Sequence, residues 1–573
     1  MRIWLFLLLS STWLSMSEHT PKYPVGQFIS PVNRDIKLSG TFGELRNNHF
    51  HAGLDIKSKN GTIGDTVYAA ADGYISRIQV NEYGYGNVLY IEHPNGYTSV
   101  YAHLDGFAPL IQDFVKKEQY RKERFEVDLY PAPFQFPVRQ LDQIGLLGNS
   151  GYSFGPHLHF EIRHSDSQTP VNPLHFGISV QDQTPPVIQQ LIAYQYDPAG
   201  QLLNSIVLQP KVKSKGVYVL EQPVEIAGTQ VTFGIRTCDY QDGVDNQNGV
   251  YSIACKADDA PSFAFALDEI AFRYSRYLNA HIDYRMKVYQ NKFFHRCFPL
   301  EGNKLPIYFT GVDEGLIYLH TEQPREVSIA VADFNNNVST VEFAVQRNTS
   351  LLLNYAPEPV FQQMATPGEM AIISQPGIQV VWPEGSFYEK TPLNITTIPG
   401  AETDAFSPHY ELAPTDVPVH YYFTIAIEGL NVPPAFQDKA FIARCDPDGS
   451  VVNCGGNWIG NNLTSGARQM GTYTIMIDTI PPTISPLSFN AKMKAWKKMS
   501  FRISDNVRIR DKGRDLLYSA WVDGKWILMA LDGKNGVLTH EFDGRIPPGD
   551  HELVLKVTDD RGNEAVLRKS FTL

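Results

Sequence analysis

Two short stretches of this chain hold residue types that can do chemistry. In GPHLHFEIR, Gly155 to Arg163, two histidines sit one residue apart in an otherwise apolar, strand-like run. Successive side chains of a β-strand point to opposite faces, so His157, His159 and Glu161 share one face. Leu158, Phe160 and Ile162 take the other face, which reads as core. Upstream, NHFHAGLDI places His51 four residues before Asp55, with Gly53 between them allowing a tight backbone approach. A hydrolytic zinc site needs three nitrogen or oxygen ligands and one open position for water. His51, Asp55 and one histidine of the HLH run supply that set from two separated segments. A further histidine, His103 in VYAHL, adds to the coincidence. Each pattern alone is weak, because most histidines serve packing or solvation; together they point to metal-assisted hydrolysis.

The surrounding sequence has to hold these residues in place. YGNVLYIEHPNGYTSVYAHL reads as a hairpin of two alternating runs around Asn95-Gly96, a pair that favours the tight primed turn. GTIGDTVYAAADGYISRIQV before it reads as two more strands around Gly73. The exception is LIQDFVKKEQYRKERFEVDL, which has helical periodicity and many charges. Leu110, Phe114 and Val115 are expected on one stripe of that helix, with Lys116, Lys117, Arg121 and Lys122 largely off it.

In chain order, NHFHAGLD, VYAHL and GNSGYSFGPHLHFEIR resemble the three motifs of the lysostaphin/LytM-type zinc metallopeptidase family. The flanking TVYAAADGYISRI and the hairpin match it too. The resemblance implies a compact antiparallel β-core with a groove, and Zn2+ held by His51, Asp55 and His159. It implies His103 and His157 as the catalytic pair, with the peptide stems or cross-links of peptidoglycan as substrate. Zinc can bring the pKa of bound water from 15.7 to about 7. The oxyanion formed on attack at an amide is stabilised by zinc and a protonated imidazole, and a histidine can carry the water's proton to the leaving amine. No HExxH glutamate is present, so the histidine pair has this proton work, and which of the two is the base stays open. The chain departs from the family pattern between Phe107 and Phe136, an insertion that bears on groove shape and substrate choice. It is expected at the groove rim, either as a lid or wall that selects substrate or as a decorative surface helix.

Neighbouring residues have blander readings. Glu161 either orients a ligand imidazole through its other ring nitrogen or, more ordinarily, faces solvent. His49 reads as packed or solvated and His93 as a turn residue. Asp239, Asp242, Asp245 and Asn246 in CDYQDGVDNQNG have a calcium-loop composition, but their spacing fits no EF-hand and a solvated loop is favoured. His281, His295, His409 and His420 are isolated.

At 573 residues the chain is too long for one ordinary core. Hydrophobic content of 43% and charged content of 19% exclude a disordered or membrane-embedded class. A net charge of −12, with no basic stripe interleaved with aromatics, argues against nucleic acid as partner. MRIWLFLLLSSTWLSMS reads as a signal peptide over residues 1–17, with no cysteine after it for a lipid anchor and no later run to cross a bilayer. Export to the periplasm or exterior of a bacterium is the expectation. Cys445 and Cys454 flank a turn-rich stretch and are candidates for a local disulfide.

The expected fold class is mostly β: a compact antiparallel catalytic core over 18–182 with a helical insertion at 107–136, followed by several β-sandwiches. QTPPVIQQL and DTIPPTISPL look like the openings of two similar modules, and VSIAVADFNNNVSTVEFAV and LVLKVTDDRGNEAVLRKSF like their ends. These suggest immunoglobulin-like sandwiches at 183–347 and 478–573, bracketing a β-rich domain at 348–477. The favoured function is a secreted zinc endopeptidase cutting peptidoglycan cross-links. The alternatives are a non-catalytic LytM-like regulator of another wall hydrolase and a zinc protease acting on secreted proteins. Such regulators typically lose ligands or catalytic histidines, and this chain keeps all five positions.

Overall fold

The computed structural model describes residues 23–573 apart from 312, 353–359, 400–403 and 510–515; the signal-peptide stretch lies outside the described residues. The first part of the chain forms β1 (Leu38–Gly40), β2 (Leu54–Lys57), β3 (Thr66–Tyr68), β4 (Gly73–Val80), β5 (Asn87–Glu92), β6 (Tyr97–Ala102) and β7 (Leu104–Phe107). Helix α1 (Pro109–Lys122) follows, then β8 (Val127–Leu129), β9 (Pro137–Val138), β10 (Gln143–Leu147), β11 (His157–His164) and β12 (Pro170–Val171). Nine of these strands make one antiparallel sheet in the order β1-β2-β11-β6-β5-β4-β8, with β12 beside β11 and β9 beside β4. The other three form a small sheet in the order β3-β10-β7.

The alternation read from GPHLHFEIR becomes a central strand. β11 lies between β2 and β6, and Leu158, Phe160 and Ile162 are fully buried in a core shared with Leu54, Ile56 and Tyr101. Each such side chain stabilises the fold by about 1.5–3 kcal/mol through burial, so a one-residue slip of β11 would exchange its apolar set for histidines. Register is therefore strongly specified. The β5–β6 hairpin turns differently from the primed geometry expected: Gly96 N–H donates to the His93 carbonyl at 3.3 Å, and of Asn95 and Gly96 only Gly96 has a positive φ, +83°. Pro94 presets the first corner of a four-residue turn, which removes the need for Asn95 to go left-handed.

The insertion is built into the domain. Helix α1 starts at a proline, ends with Arg121 and Lys122 in its last turn, and is closed by Glu123 in the left-handed conformation. Its buried stripe is Ile111, Val115 and Gln119, not the Leu110–Phe114–Val115 set expected: Leu110 is 78% exposed and Phe114 half-buried. The helix begins at Pro109, which leaves Leu110 turned outward while the i, i+4, i+8 row from Ile111 faces the core. Gln119 donates to the Phe125 carbonyl at 2.6 Å, and the returning β8 then pairs with β4, covering that sheet edge.

The remainder is almost entirely paired sheets: five- and eight-stranded ones between residues 187 and 347, then seven- and five-stranded ones, then two of four strands. A single core runs from Tyr23 to Tyr388, a second from Ala365 to Ile475, and a third from Met493 to Phe571. The last segment folds back onto the first. Lys534 Nζ donates to the carbonyls of Asn149 (2.8 Å) and Ser153 (3.0 Å), Tyr518 donates to Glu82 at 2.9 Å, and Lys116 pairs with Asp543 at 2.6 Å. No disulfide joins the cysteines, all of which are described. Cys445 pairs with Val451, whereas Cys454 lies against Ile442. At about 3.3 Å per residue that offset exceeds the ~7 Å limit for a bridge. Among the described residues no helix is long and apolar enough to cross a membrane.

Candidate metal centre

Strand register assembles the cluster. Asp55 on β2 stands directly opposite His159 on β11, and Gly40 on β1 is opposite Asp55. Gly53 is needed for this approach, because a Cβ there would come within 2.3 Å of the Phe160 carbonyl oxygen. His51 enters from the preceding loop, held by backbone bonds to Glu44 and Gly43. His51 Nε2, Asp55 Oδ1 and His159 Nδ1 are mutually 2.9 Å apart, and all three residues are buried.

The outer hydrogen bonds decide what those three atoms can do. His51 Nδ1 lies 2.8 Å from the Thr41 carbonyl oxygen, which can only accept, so Nδ1 carries the proton and Nε2 is a lone pair. His159 Nε2 lies 2.8 Å from Glu161 Oε1, so its proton is there and Nδ1 is a lone pair. Two imidazole lone pairs and a carboxylate oxygen thus converge with no proton between them, a donor set that fits Zn2+. The same surroundings favour positive charge at this point. Burial opposes a charge on His159, but its hydrogen bonds to the carboxylates of Asp55 and Glu161 outweigh this and raise its pKa to about 9. Burial pushes Asp55 up, and the His51 imidazole with bonds from His157 and His159 more than reverses this, holding it well below the carboxylate range.

His103 and His157 stand beside this set. Their ring centroids are 4.8 Å apart, and His157 Nε2 is 3.4 Å from Asp55 Oδ1. His103 occupies the kink between β6 and β7 with φ +60°, a conformation uncommon for non-glycine residues and concentrated at functional sites. Its Nδ1 donates to the Ser150 carbonyl at 2.9 Å, and His157 Nδ1 donates to the Gly155 carbonyl at 2.8 Å. His103 therefore keeps a bare Nε2, and His157 turns its Nε2 toward Asp55. Burial, then the neighbouring His157 and His159, depress His103 to about 3, so it is neutral at pH 7.

Glu161 is completely buried, so the solvent-facing reading fails. Arg163 donates to its Oε2 at 2.6 Å, Tyr85 to its Oε1 at 2.5 Å, and Arg163 also reaches the Tyr85 hydroxyl. Arg46 pairs with the outer oxygen of Asp55 at 2.7 Å. Tyr85, Arg163 and Arg46 were not among the expected site residues. Carrying the β11 alternation two positions past Glu161 finds Arg163; the two loop residues have no such signal. His49 is exposed and outside the cluster. His93 is more than a turn residue: buried, it bridges the Asp72 carbonyl and Ser99 Oγ. The solvated-loop reading fails at Asp239, which is buried beside Asp182 and Asp333.

Residues 49–120 match the model of Peptidase family M23, and residues 362–478 that of a Zu5-like domain. A DD-carboxypeptidase/endopeptidase Mpg of Neisseria meningitidis is 33% identical over 153 residues, 26% of this chain and 29% of that one. The cell division protein DipM of Caulobacter vibrioides is 30% identical over 152 residues, 26% of this chain and 20% of the relative. The matched region thus spans less than a third of these relatives. The catalytic domain of lysostaphin from Staphylococcus simulans is 26% identical, covering 25% of this chain and 91% of that one, at a TM-score of 0.19.

Proposed function

Because residues 49–120 match the model of Peptidase family M23, we propose that this protein is an exported zinc endopeptidase that hydrolyses peptide cross-links of peptidoglycan. The observation that carries the reading is the convergence of His51 Nε2, Asp55 Oδ1 and His159 Nδ1 beside the His103–His157 pair. His51 Nε2, Asp55 Oδ1 and His159 Nδ1 hold the metal. Zinc, when bound, acidifies water and polarises a carbonyl. Glu161 keeps the His159 proton on Nε2, and Arg163 and Tyr85 keep Glu161 in place. The Ser150 and Gly155 carbonyls fix the rings of His103 and His157 through Nδ1, which leaves Nε2 for proton transfer. Such a nitrogen takes a proton from water, then donates a hydrogen bond to the developing oxyanion, and finally delivers the proton to the leaving amine.

Peptidoglycan is favoured over secreted proteins because relatives from Neisseria and from Vibrio cholerae carry names of DD-endopeptidases. The match to a cell division protein keeps a regulatory reading in play, but a pure regulator has no use for the histidine pair. Mass-spectrometric digestion of purified peptidoglycan tests all three. Cross-link cleavage lost in His103→Ala supports the proposal. Metal-loaded protein inert on every wall fraction supports the regulator, and cleavage of casein alone supports the protein-directed protease.

A further inference from the structure

Away from the histidine cluster, the chain builds one side-chain constellation twice. Asp182 begins Asp-Gln-Thr-Pro-Pro and Asp478 begins Asp-Thr-Ile-Pro-Pro. Asp239 and Asp505 each follow directly on a strand, Gln230–Cys238 and Lys498–Ser504. Asp333 and Asp559 likewise follow the strands Arg325–Ala332 and Asp550–Thr558, and each precedes an asparagine four residues on. In the first set the carboxylate atoms of Asp182, Asp239 and Asp333 lie within 4.8 Å of one another, and in the second those of Asp478, Asp505 and Asp559 do.

The supporting bonds repeat as well. The backbone N–H two residues on donates to the first aspartate, at 3.0 Å for both Asp182 and Asp478. Asn337 donates from its backbone to Asp333 Oδ1 (2.8 Å) and from its amide to Asp333 Oδ2 (2.7 Å) and the Asp182 carbonyl (3.2 Å). Asn563 makes the same three bonds, to Asp559 Oδ1 (2.8 Å), Asp559 Oδ2 (2.8 Å) and the Asp478 carbonyl (3.0 Å). Each asparagine thereby fixes two carboxylate-bearing segments against each other.

What these bonds leave over points to a ligand. Asp239 is 4% exposed and its Oδ1 has no hydrogen-bond partner; Asp478 is 2% exposed and its Oδ2 has none. A buried, unpaired carboxylate oxygen is costly, and doubly so beside two further carboxylates. A cavity of about 40 Å³ opens at the first set, more than one ion or water needs. The donors are all oxygens, with no imidazole or thiolate among them, which selects a hard cation over zinc or copper. Irregular carboxylates drawn from three separate segments suit Ca2+, which takes 6–8 oxygens in adaptable geometry, better than octahedral Mg2+.

We propose that Asp182, Asp239 and Asp333 form one Ca2+ site and Asp478, Asp505 and Asp559 a second, each locking the entry of a β-module to its neighbour. The first is tied to the peptidase sheet: Gln241, two residues past Asp239, accepts from Leu38 N and donates to the Ile36 carbonyl. At the second, Asp478 N donates to the Lys439 carbonyl, and Lys439 Nζ to the Arg561 carbonyl. Calcium at these joints fixes how the modules follow one another, independently of what the peptidase cleaves.

The test is calorimetric titration of the zinc-loaded full chain with CaCl2, alongside unfolding midpoints in CaCl2 and in MgCl2. Two Ca2+ should bind per chain, with Kd on the order of 10⁻⁴–10⁻³ M as for extracellular modules. Asp239→Asn and Asp505→Asn should each remove one, and the double variant both. Without calcium the variants should unfold no earlier than the parent, since each replaces a crowded carboxyl group by a neutral amide of the same shape. If a variant fails to fold, the parent alone decides: several millimolar CaCl2 should raise its midpoint and MgCl2 should not. No calcium uptake, uptake undiminished in the double variant, or an equal response to both cations overturns the proposal.

Discussion

Among the described residues, two buried pairs of histidines are in hydrogen-bond contact, and they differ in kind. His51 and His159 face each other at 2.9 Å, and His281 and His295 at 2.8 Å. In the first pair both outer nitrogens meet obligate acceptors, the Thr41 carbonyl and the Glu161 carboxylate, so no proton remains between the rings. In the second, the outer nitrogen of His281 meets the Tyr308 hydroxyl, which can itself donate, so one ring can donate to the other. Asp55 completes the first set; around the second the close neighbours are aromatic, Phe265 lying against both rings. Burial alone acts on His295 and drives it to about 4, whereas His159 is raised to about 9. Proximity of imidazoles does not make a metal site. The acceptors behind them do.

Substitutions can break this contrast. His159→Ala or Asp55→Ala should abolish metal content, read by elemental analysis, and hydrolysis with it, while His295→Gln leaves metal content at the parent level. Metal retained in His159→Ala would move the ligand to His157. Next in size, His103→Ala and His157→Ala should keep the metal yet lose ~10²–10⁴-fold in turnover. Loss of metal from His157→Ala would reverse the roles along β11. A smaller effect tests the acceptor argument itself. Glu161→Gln should weaken metal binding by about 10–100-fold, measured by chelator competition, and an unchanged affinity would remove Glu161 from the account.

The smallest expected effect sharpens the other half of the comparison. His295 is neutral when folded down to about pH 4, while the unfolded chain takes up a proton near 6.5. Between those values the unfolded state binds more protons, so this residue's stability contribution is full above 6.5 and lost as pH falls toward 4. The swing is on the order of 3 kcal/mol. Denaturant unfolding of His295→Gln across that window should be less acid-sensitive than the parent, and identical slopes would count against it.

Local alternation carried much of the site. The period-2 pattern of GPHLHFEIR brought His157, His159 and Glu161 to one face and put Leu158, Phe160 and Ile162 in the core, as found. Glu161 was misjudged because a strand pattern does not reveal that β11 has neighbours on both sides and is sealed above. Arg46 and Tyr85 come from loops, where no periodicity reports direction. The aspartate sets are illegible for another reason: their members lie more than fifty residues apart, except for Asp478 and Asp505. The weak repeat of QTPPVIQQL and DTIPPTISPL was a trace of them that composition could not interpret.

One contact made far along the chain bears on how a peptidase of the proposed kind would wear out. Lys534 grips the carbonyls of Asn149 and Ser153, in the loop whose Ser150 and Gly155 hold His103 and His157. His51 and Asp55 are held by other segments, and His159 by its register with β2 and β6. A proteolytic nick that frees the segment around Lys534 would therefore slacken the proton-handling histidines while every ligand stayed in place. Ageing protein would accumulate as fully metallated, poorly active molecules, which metal analysis would count as intact and a turnover assay would not.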